Sequence, residues 1–532
     1  MYPGKWAARN PDKPALIMAD TEAVLTFGEL EDRSLRLANH LRSVGFEKGD
    51  HIAVMAENRF EIIEALWAAL RTGAIITVVN SHLTAAESAY IVDDCDARAI
   101  LLSTRLEKSS EVAAECQQVE NRIRIDVAPD GEAREVFAGW DEYEAVLAAA
   151  SADQPEVEPR GDDMLYSSGT TGRPKGILPG ATDLLIGDED VPLISLFRTL
   201  YGFDDETVYL SPAPLYHAAP LRFVMTTHSQ GGTVVVMPRF DAEEALSLIE
   251  KHRVTHSQWV PTMFIRMLKL PDEVRRSFDV SSLKVAIHAA APCPPEVKRA
   301  MIEWWGPVIY EYYAATESNG MTIIDSQQAL ERPGSVGRDG VKGIVHICGP
   351  DGEELPPGEI GVIYFEATAA LFEYYKDPSK TAASRHPDHP DTWATTGDMG
   401  YLDEDRFLYI AERSTGLIIV GGVNIYPQEI ENELALRPQI DDVAVVGRAD
   451  VELGQVPVAF VQLADDVAEA GQADEIRSWL VDRLARFKIP REFYFVPELP
   501  RTPTGKLVKR KLPDPATLAD PATMADPATK AG

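Results

Sequence analysis

The sequence predicts an α/β protein: a large N-terminal region of layered αβ sheets with a β-rich subdomain, followed by a small α+β C-terminal domain. Three observations predict it. Helix-like and strand-like segments alternate through the first hundred residues and again from Thr233 to Ser257, the pattern of a layered core with largely parallel strands. From about residue 340 the texture shifts to short alternating strands with Gly and Pro turns, Val345–Ile347 and then Gly361–Phe365, which reads as a more antiparallel sheet. A last compact unit from about Arg413 to Leu512 mixes two helices with short strands.

The elements follow in order. Thr26-Phe27-Gly28-Glu29 reads as a capping box, in which a hydroxyl and a carboxylate satisfy the first free amides of a helix. That helix runs through Leu30, Leu37, Leu41 and Val44 and stops at Gly45. A strand over Ile52–Met55, a helix over Glu61–Leu70 and a β-branched strand over Ile75–Val79 come next. Further on, a strand over Thr233–Met237, a helix over Ala242–His252 and a strand over Val254–Ser257 repeat the alternation. Beyond Leu512, Asp514-Pro515-Ala516-Thr517 recurs at Asp520 and at Asp526, a composition that builds no core and predicts a disordered tail over 513–532. The expected division is therefore 1–412, 413–512 and the tail.

At 532 residues the chain calls for two or more domains. Hydrophobic residues at 45% and charged residues at 25% are ordinary for a soluble globular protein. The net charge of −33 argues against a nucleic-acid partner, because phosphate backbones would be repelled. Met1–Lys5 opens no signal-peptide pattern, and no apolar run reaches the length of a membrane span. Cys95, Cys116, Cys293 and Cys348 lack metal-ligand spacing and read as reduced structural thiols, so a cytoplasmic protein is expected. Arg501, Lys506, Lys509, Arg510 and Lys511 form a cationic cluster in this acidic chain.

The segment from Tyr166 to Gly176 carries the most chemistry. Ser167, Ser168, Gly169, Thr170, Thr171 and Gly172 offer hydroxyls and exposed amides to phosphate oxygens, and Lys175 adds a charge. It is not a Walker A loop, since Pro174 stands where the second glycine belongs and Gly176 follows the lysine. Five further motifs lie along the chain: Tyr312-Tyr313-Ala314-Ala315-Thr316-Glu317, Thr396-Gly397-Asp398, Arg413 with Gly421-Gly422, Pro500 to Lys506, and His288-Ala289-Ala290-Ala291-Pro292.

Together these motifs, in their order along the chain and over nearly its whole length to about Leu512, resemble the adenylate-forming superfamily of acyl-CoA synthetases, luciferases and peptide-synthetase adenylation domains. The resemblance implies ATP, Mg²⁺ and coenzyme A as reactants. It places a tyrosine of the Tyr312–Tyr313 pair on adenine beside Ala289, Ala290 and Ala291. Thr316 falls at the α-phosphate, Glu317 at Mg²⁺ with Thr170, and Asp398 and Arg413 at the ribose. Gly421 and Gly422 line the pantetheine path, and Lys506 is the lysine between the substrate carboxylate and the α-phosphate, where an ammonium offsets developing charge. Ala314 replaces the family's usual glycine and narrows the space beside the acyl group.

Pro214-Leu215-Tyr216-His217 selects within the superfamily. Amino-acid-activating relatives carry an aspartate at this position, so His217 resembles acyl- and aryl-CoA synthetases. His217, Trp259, Met263, His288 and Ala314 are the expected acyl-pocket residues, and they suit an apolar fatty, alicyclic or polycyclic acid. The resemblance further implies a mobile C-terminal domain that rotates between two half-reactions. The hinge falls on Thr415 in place of the usual Asp or Lys, which predicts a shifted balance between the half-reactions. A carrier protein is the alternative acyl acceptor, and a homodimer is compatible with the sequence.

Overall fold

The computed structural model describes residues 1–126, 135–166, 174–178, 183–367, 371–411, 418–420, 423–450, 453–465, 467–481, 483–501, 507–508, 511–513 and 522–523. Its fold is mixed α/β, with a large N-terminal region and a small C-terminal unit. One parallel sheet runs, in spatial order, Asp162–Asp163, Ile75–Val78, His51–Met55, Ala97–Ser103, Asn121–Ile125 and Asp141–Glu142.

The larger sheet holds Pro14–Met18, Thr233–Val236, Val208–Ser211, His256–Trp259, Val285–His288 and Ile309–Ala314 as a parallel set. At Ile309–Ala314 the direction changes. Met321–Asp325, Ser335–Lys342, Phe407–Ala411, Met399–Leu402, Gly361–Glu366 and Ile344–Cys348 continue the sheet antiparallel. Six neighbouring parallel strands thus end on one edge, and ligands of open α/β sheets bind beyond such carboxyl ends.

Local sequence explains the helices that cover these sheets. Thr26 and Glu29 form the reciprocal cap of the helix Phe27–Ser43, with Oγ1 of Thr26 accepting from the Glu29 amide at 3.2 Å and the Glu29 carboxylate accepting from the Thr26 amide at 2.8 Å. The helix Phe60–Thr72 is buried on nearly every side, and Gly73 ends it in the left-handed region at φ 84°. Asp241 caps the helix Ala242–His252, whose span matches the sequence expectation. The strand expected at 254–257 begins instead at His256, because Val254 is spent closing that helix: its amide donates to the Ile249 carbonyl at 3.0 Å.

The C-terminal unit has a core of its own, with Ile430 and Leu434 of the helix Pro427–Leu434 and Ile476 and Leu480 of the helix Gln472–Val481 against Val443, Val461 and Phe493. Lys269 of the large region ties to it by donating to the main-chain carbonyls of Ile440 and Asp441. The tail departs from expectation at two residues: Ala522–Thr523 pairs antiparallel with Phe493 and Glu492. An open strand edge offers main-chain partners that need no apolar side chains, so even this repeat can add to it. All four cysteines are buried free thiols. Among the described residues no helix is long and apolar enough to cross a membrane.

Candidate active site

The site gathers at the edge where the parallel strands end. Alternation along Ile309–Ala314 sends Tyr310, Tyr312 and Ala314 to one face and Tyr313 to the other. Tyr312 packs toward Phe223, with ring centroids 6.4 Å apart, while Tyr313 stacks on Phe365 at 6.1 Å. The Tyr313 hydroxyl donates to Oδ2 of Asp398 at 2.8 Å, and Oγ1 of Thr396 lies 3.2 Å from the same oxygen. Gly397 between them has φ 83°, a backbone that Thr396-Gly397-Asp398 reaches without strain only through glycine. Two motifs far apart in sequence are therefore one structure.

Ser167, Ser168, Gly169, Thr170, Thr171 and Gly172 lie outside the described residues, but the base of their loop is described. Gly176 pairs antiparallel with Tyr166, and Ile177 and Leu178 pair with Tyr374 and Glu373. A side chain at Gly176 would crowd the Tyr166 ring, with the nearest ring atom 3.2 Å from a Cβ. Lys175 forms an ion pair with Asp377, which also caps the helix Pro378–Ala383 through the Lys380 amide at 2.9 Å. The hydrogen bond from Lys175, reinforced by that amide, holds the Asp377 carboxyl well below the usual carboxylate range.

Oε1 of Glu317 accepts from the Tyr374 hydroxyl at 2.8 Å, so the carboxylate is oriented. A single oriented carboxylate suits a cation that takes most of its oxygens from phosphate and water, as Mg²⁺ does at nucleotide sites. Tyr374 and Asp377, both partners of site residues, are not marked by any local sequence pattern; only pairing with the strand after the phosphate loop brings them in.

The residues expected to wall the acyl group divide between two faces of the sheet. Trp259 and Met263 pack in one buried cluster with Phe264 and Trp305, and the Trp259 indole donates to Oγ of Ser257 at 2.7 Å. His288 joins that face, 5.4 Å from the Phe264 ring and beside the buried Lys298–Glu311 pair. Burial drives its imidazole well below the ordinary range. Ala314 lies on the opposite face with Tyr312 and the helix Ala218–Gln230. The structure does not bring Trp259, Met263 and His288 together with Ala314, because residues two apart along a strand share a face and neighbours do not.

His217 sits at the N-cap of the Ala218–Gln230 helix, with its Nε2 buried and without a hydrogen-bond partner among the described residues. Burial, with His82 nearby, lowers its imidazole to about 4, so the ring is neutral at physiological pH. A buried, unsatisfied polar atom costs about 1–3 kcal/mol, which a bound ligand can recover. Ala289 is buried after the strand Val285–His288, and Ala290 is exposed with φ 76°.

Arg413, Thr415, Gly421, Gly422 and Lys506 lie outside the described residues. The flanks of Lys506 are visible: Arg501 bridges antiparallel to Leu507, and the Val508 amide donates to the Pro500 carbonyl at 2.7 Å. Arg501 is itself fixed by its guanidinium to Asp442.

A parallel sheet ending beside a tyrosine–aspartate pair, with a lysine-bearing loop and an oriented glutamate, defines a nucleotide-activating enzyme. The chain belongs to the AMP-binding enzyme family, whose profile matches residues 4–375, and the AMP-binding enzyme C-terminal domain matches residues 429–506. It is 33% identical over 513 residues to feruloyl-CoA synthase from Amycolatopsis sp, covering 96% of this chain and 97% of that one. It is 31% identical over 515 residues to the long-chain-fatty-acid–CoA ligase FadD13 of Mycobacterium tuberculosis, covering 95% and 96%. The o-succinylbenzoate CoA synthetase of Bacillus subtilis, solved with its acyl-adenylate, superposes with a TM-score of 0.77 at 27% identity, covering 96% of this chain and 97% of that one.

Proposed function

We propose that the protein activates an apolar carboxylic acid as its acyl-adenylate and transfers the acyl group to coenzyme A. The reaction class is that of an AMP-forming acid–thiol ligase, an acyl-CoA synthetase using ATP, Mg²⁺ and coenzyme A. The observation that carries the reading is the hydrogen bond between Tyr313 and Asp398, which joins an aromatic platform to a carboxylate able to accept both ribose hydroxyls.

In the first half-reaction the acid's carboxylate attacks the α-phosphorus of ATP and pyrophosphate leaves. Lys175 exchanges Asp377 for phosphate oxygens, Thr316 contacts the α-phosphate, Glu317 with Thr170 holds the cation, and Lys506 offsets charge on the transition state. Mg²⁺ supplies neutralisation of the phosphate charge. Ser167, Ser168, Gly169, Thr171 and Gly172 complete the phosphate loop, while Ala289, Ala290, Ala291 and Arg413 border adenine and ribose. Neutral His217 positions the acid beside Ala314. In the second half-reaction the coenzyme A thiol, passing Gly421 and Gly422, attacks the mixed anhydride and AMP leaves. Thr415 is the pivot between the two. Use of ATP and free coenzyme A favours the cytoplasm.

The test is pyrophosphate release and acyl-CoA mass across fatty, aryl and alicyclic acids, with coenzyme A and a phosphopantetheinylated carrier protein as rival acceptors. Lys506→Ala should lower adenylation by at least about a hundredfold while sparing thioester formation from preformed adenylate. Equal loss of both half-reactions would refute the assigned role of Lys506, and preference for the carrier protein would refute coenzyme A as acceptor.

A further inference from the structure

The face of the sheet that bears Tyr312 and Ala314 continues across two more strands. Ala314 stands opposite Met321, and Met321 stands opposite Lys342 at the end of the strand Ser335–Lys342. Three adjacent positions in register place Lys342 roughly 10 Å across the sheet from Ala314. Between them lies apolar surface, Met321 being buried and Tyr312 packed against the same core.

Lys342 differs from most charged residues of this acidic chain. Solvent reaches its side chain, yet its ammonium makes no hydrogen bond or ion pair with a described residue. Its charged neighbour is another cation, Arg222 of the Ala218–Gln230 helix. Arg222 is already engaged: its guanidinium meets Asp163 at 2.9 Å and lies 3.3 Å from Oγ of Ser318, one residue beyond Glu317. Desolvation of the part turned to the sheet, with the repulsion from Arg222, shifts the Lys342 ammonium downward while the side chain keeps solvent contact. A chain with 84 acidic residues against 51 basic ones has left this lysine near an arginine and without a counter-ion among the described residues. Such an arrangement is unfavourable until an anion arrives from outside.

We propose that the acid bears a second carboxylate remote from the one activated, and that Lys342 binds it, making Lys342 a specificity-determining residue. This rests on the reading that the Ala314 face borders the acyl group. The substrate class is then dicarboxylic acids with an apolar spacer: one carboxylate meets ATP near His217 and Ala314, the spacer lies along Tyr312 and Met321, and the distal carboxylate pairs with Lys342.

Matched acids test it on the full chain with Mg-ATP, scored by pyrophosphate release: octanoate against suberate, and cyclohexanecarboxylate against cyclohexane-1,4-dicarboxylate. The expected result is a kcat/KM at least about tenfold higher for the diacid of a pair, the size of one charge-assisted contact. Lys342→Met should erase that ratio and Lys342→Arg should retain it. Preference for the monoacids, or a ratio unchanged in Lys342→Met, overturns this inference and leaves the proposed function standing. A raised KM for ATP in Lys342→Met, with the ratio intact, also overturns it and assigns the lysine to nucleotide. Failure of every acid of both kinds overturns the two readings together.

Discussion

The Tyr313 hydroxyl donates to Oδ2 of Asp398 at 2.8 Å, across a separation of 85 residues in sequence. The bond fixes the edge of the aromatic ring relative to the carboxylate, which would hold the proposed adenine platform and ribose acceptor as one surface before nucleotide arrives. Tyr313→Phe keeps the ring and its packing on Phe365 but removes one donor from the Asp398 carboxylate, leaving the Thr396 hydroxyl on it. The KM for ATP should rise about five- to tenfold, the worth of one hydrogen bond, with little change in kcat. ATP–pyrophosphate exchange measures it, and an unchanged KM would show that the bond orients nothing.

Asp377 holds Lys175 in an ion pair, so in the proposed mechanism it would compete with ATP for the lysine. Asp377→Asn keeps an oxygen to cap the helix Pro378–Ala383 while removing the competing charge. Because the pair is partly exposed, the gain is modest: ATP binding should tighten by about threefold. Calorimetric titration of ATP into wild type and variant decides, and weaker binding would mean that Asp377 holds Lys175 ready.

Ala290 occupies the left-handed region at an exposed position, where a Cβ meets its own carbonyl oxygen. Ala290→Gly should stabilise the protein by about 1 kcal/mol, read from the shift in urea midpoint. A loss of stability would show that the methyl makes contacts worth more than the strain.

His228 sets an acid limit on stability. Its Nδ1 accepts from the Trp67 indole at 3.3 Å and its Nε2 faces the Ala15 carbonyl at 2.9 Å, so the neutral tautomer alone satisfies both partners. Burial lowers its imidazole to about 4. The unfolded chain takes up the proton near pH 6.5, so the stabilisation is whole above that value and is lost as pH falls toward 4. Up to about 3 kcal/mol should disappear over that window, and His228→Gln should flatten the slope. Parallel urea titrations at pH 7, 5.5 and 4.5 would expose the idea as wrong if both proteins lost stability equally.

Much of the fold was legible because its signals are local. Thr26 with Glu29 and Asp241 before Ala242 announce helix starts within four residues. The resemblance singled out Tyr313, Asp398 and Glu317 because those residues sit in contiguous strings. Tyr374, Asp377 and Arg222 were not legible, since each meets its partner from a segment more than fifty residues away. The division of the acyl-wall residues was concealed for another reason. Trp259, His288 and Ala314 each end a neighbouring parallel strand, but which face a side chain takes depends on register, and register is a property of the assembled sheet.

The short stretch 371–377 connects two parts of the site. It pairs with the strand that leaves the phosphate loop, offers Tyr374 to Glu317, and offers Asp377 to Lys175. A phosphate that drew Lys175 away from Asp377 would therefore act on the same ribbon of backbone that aims the Glu317 carboxylate proposed to hold the cation. By thermodynamic reciprocity, a cation that reorients Glu317 and Tyr374 changes the hold of Asp377 on Lys175 by the same free energy. On the proposed roles of Lys175 and Glu317, nucleotide and cation would bind as coupled ligands, with only Tyr375 and Lys376 between Tyr374 and Asp377.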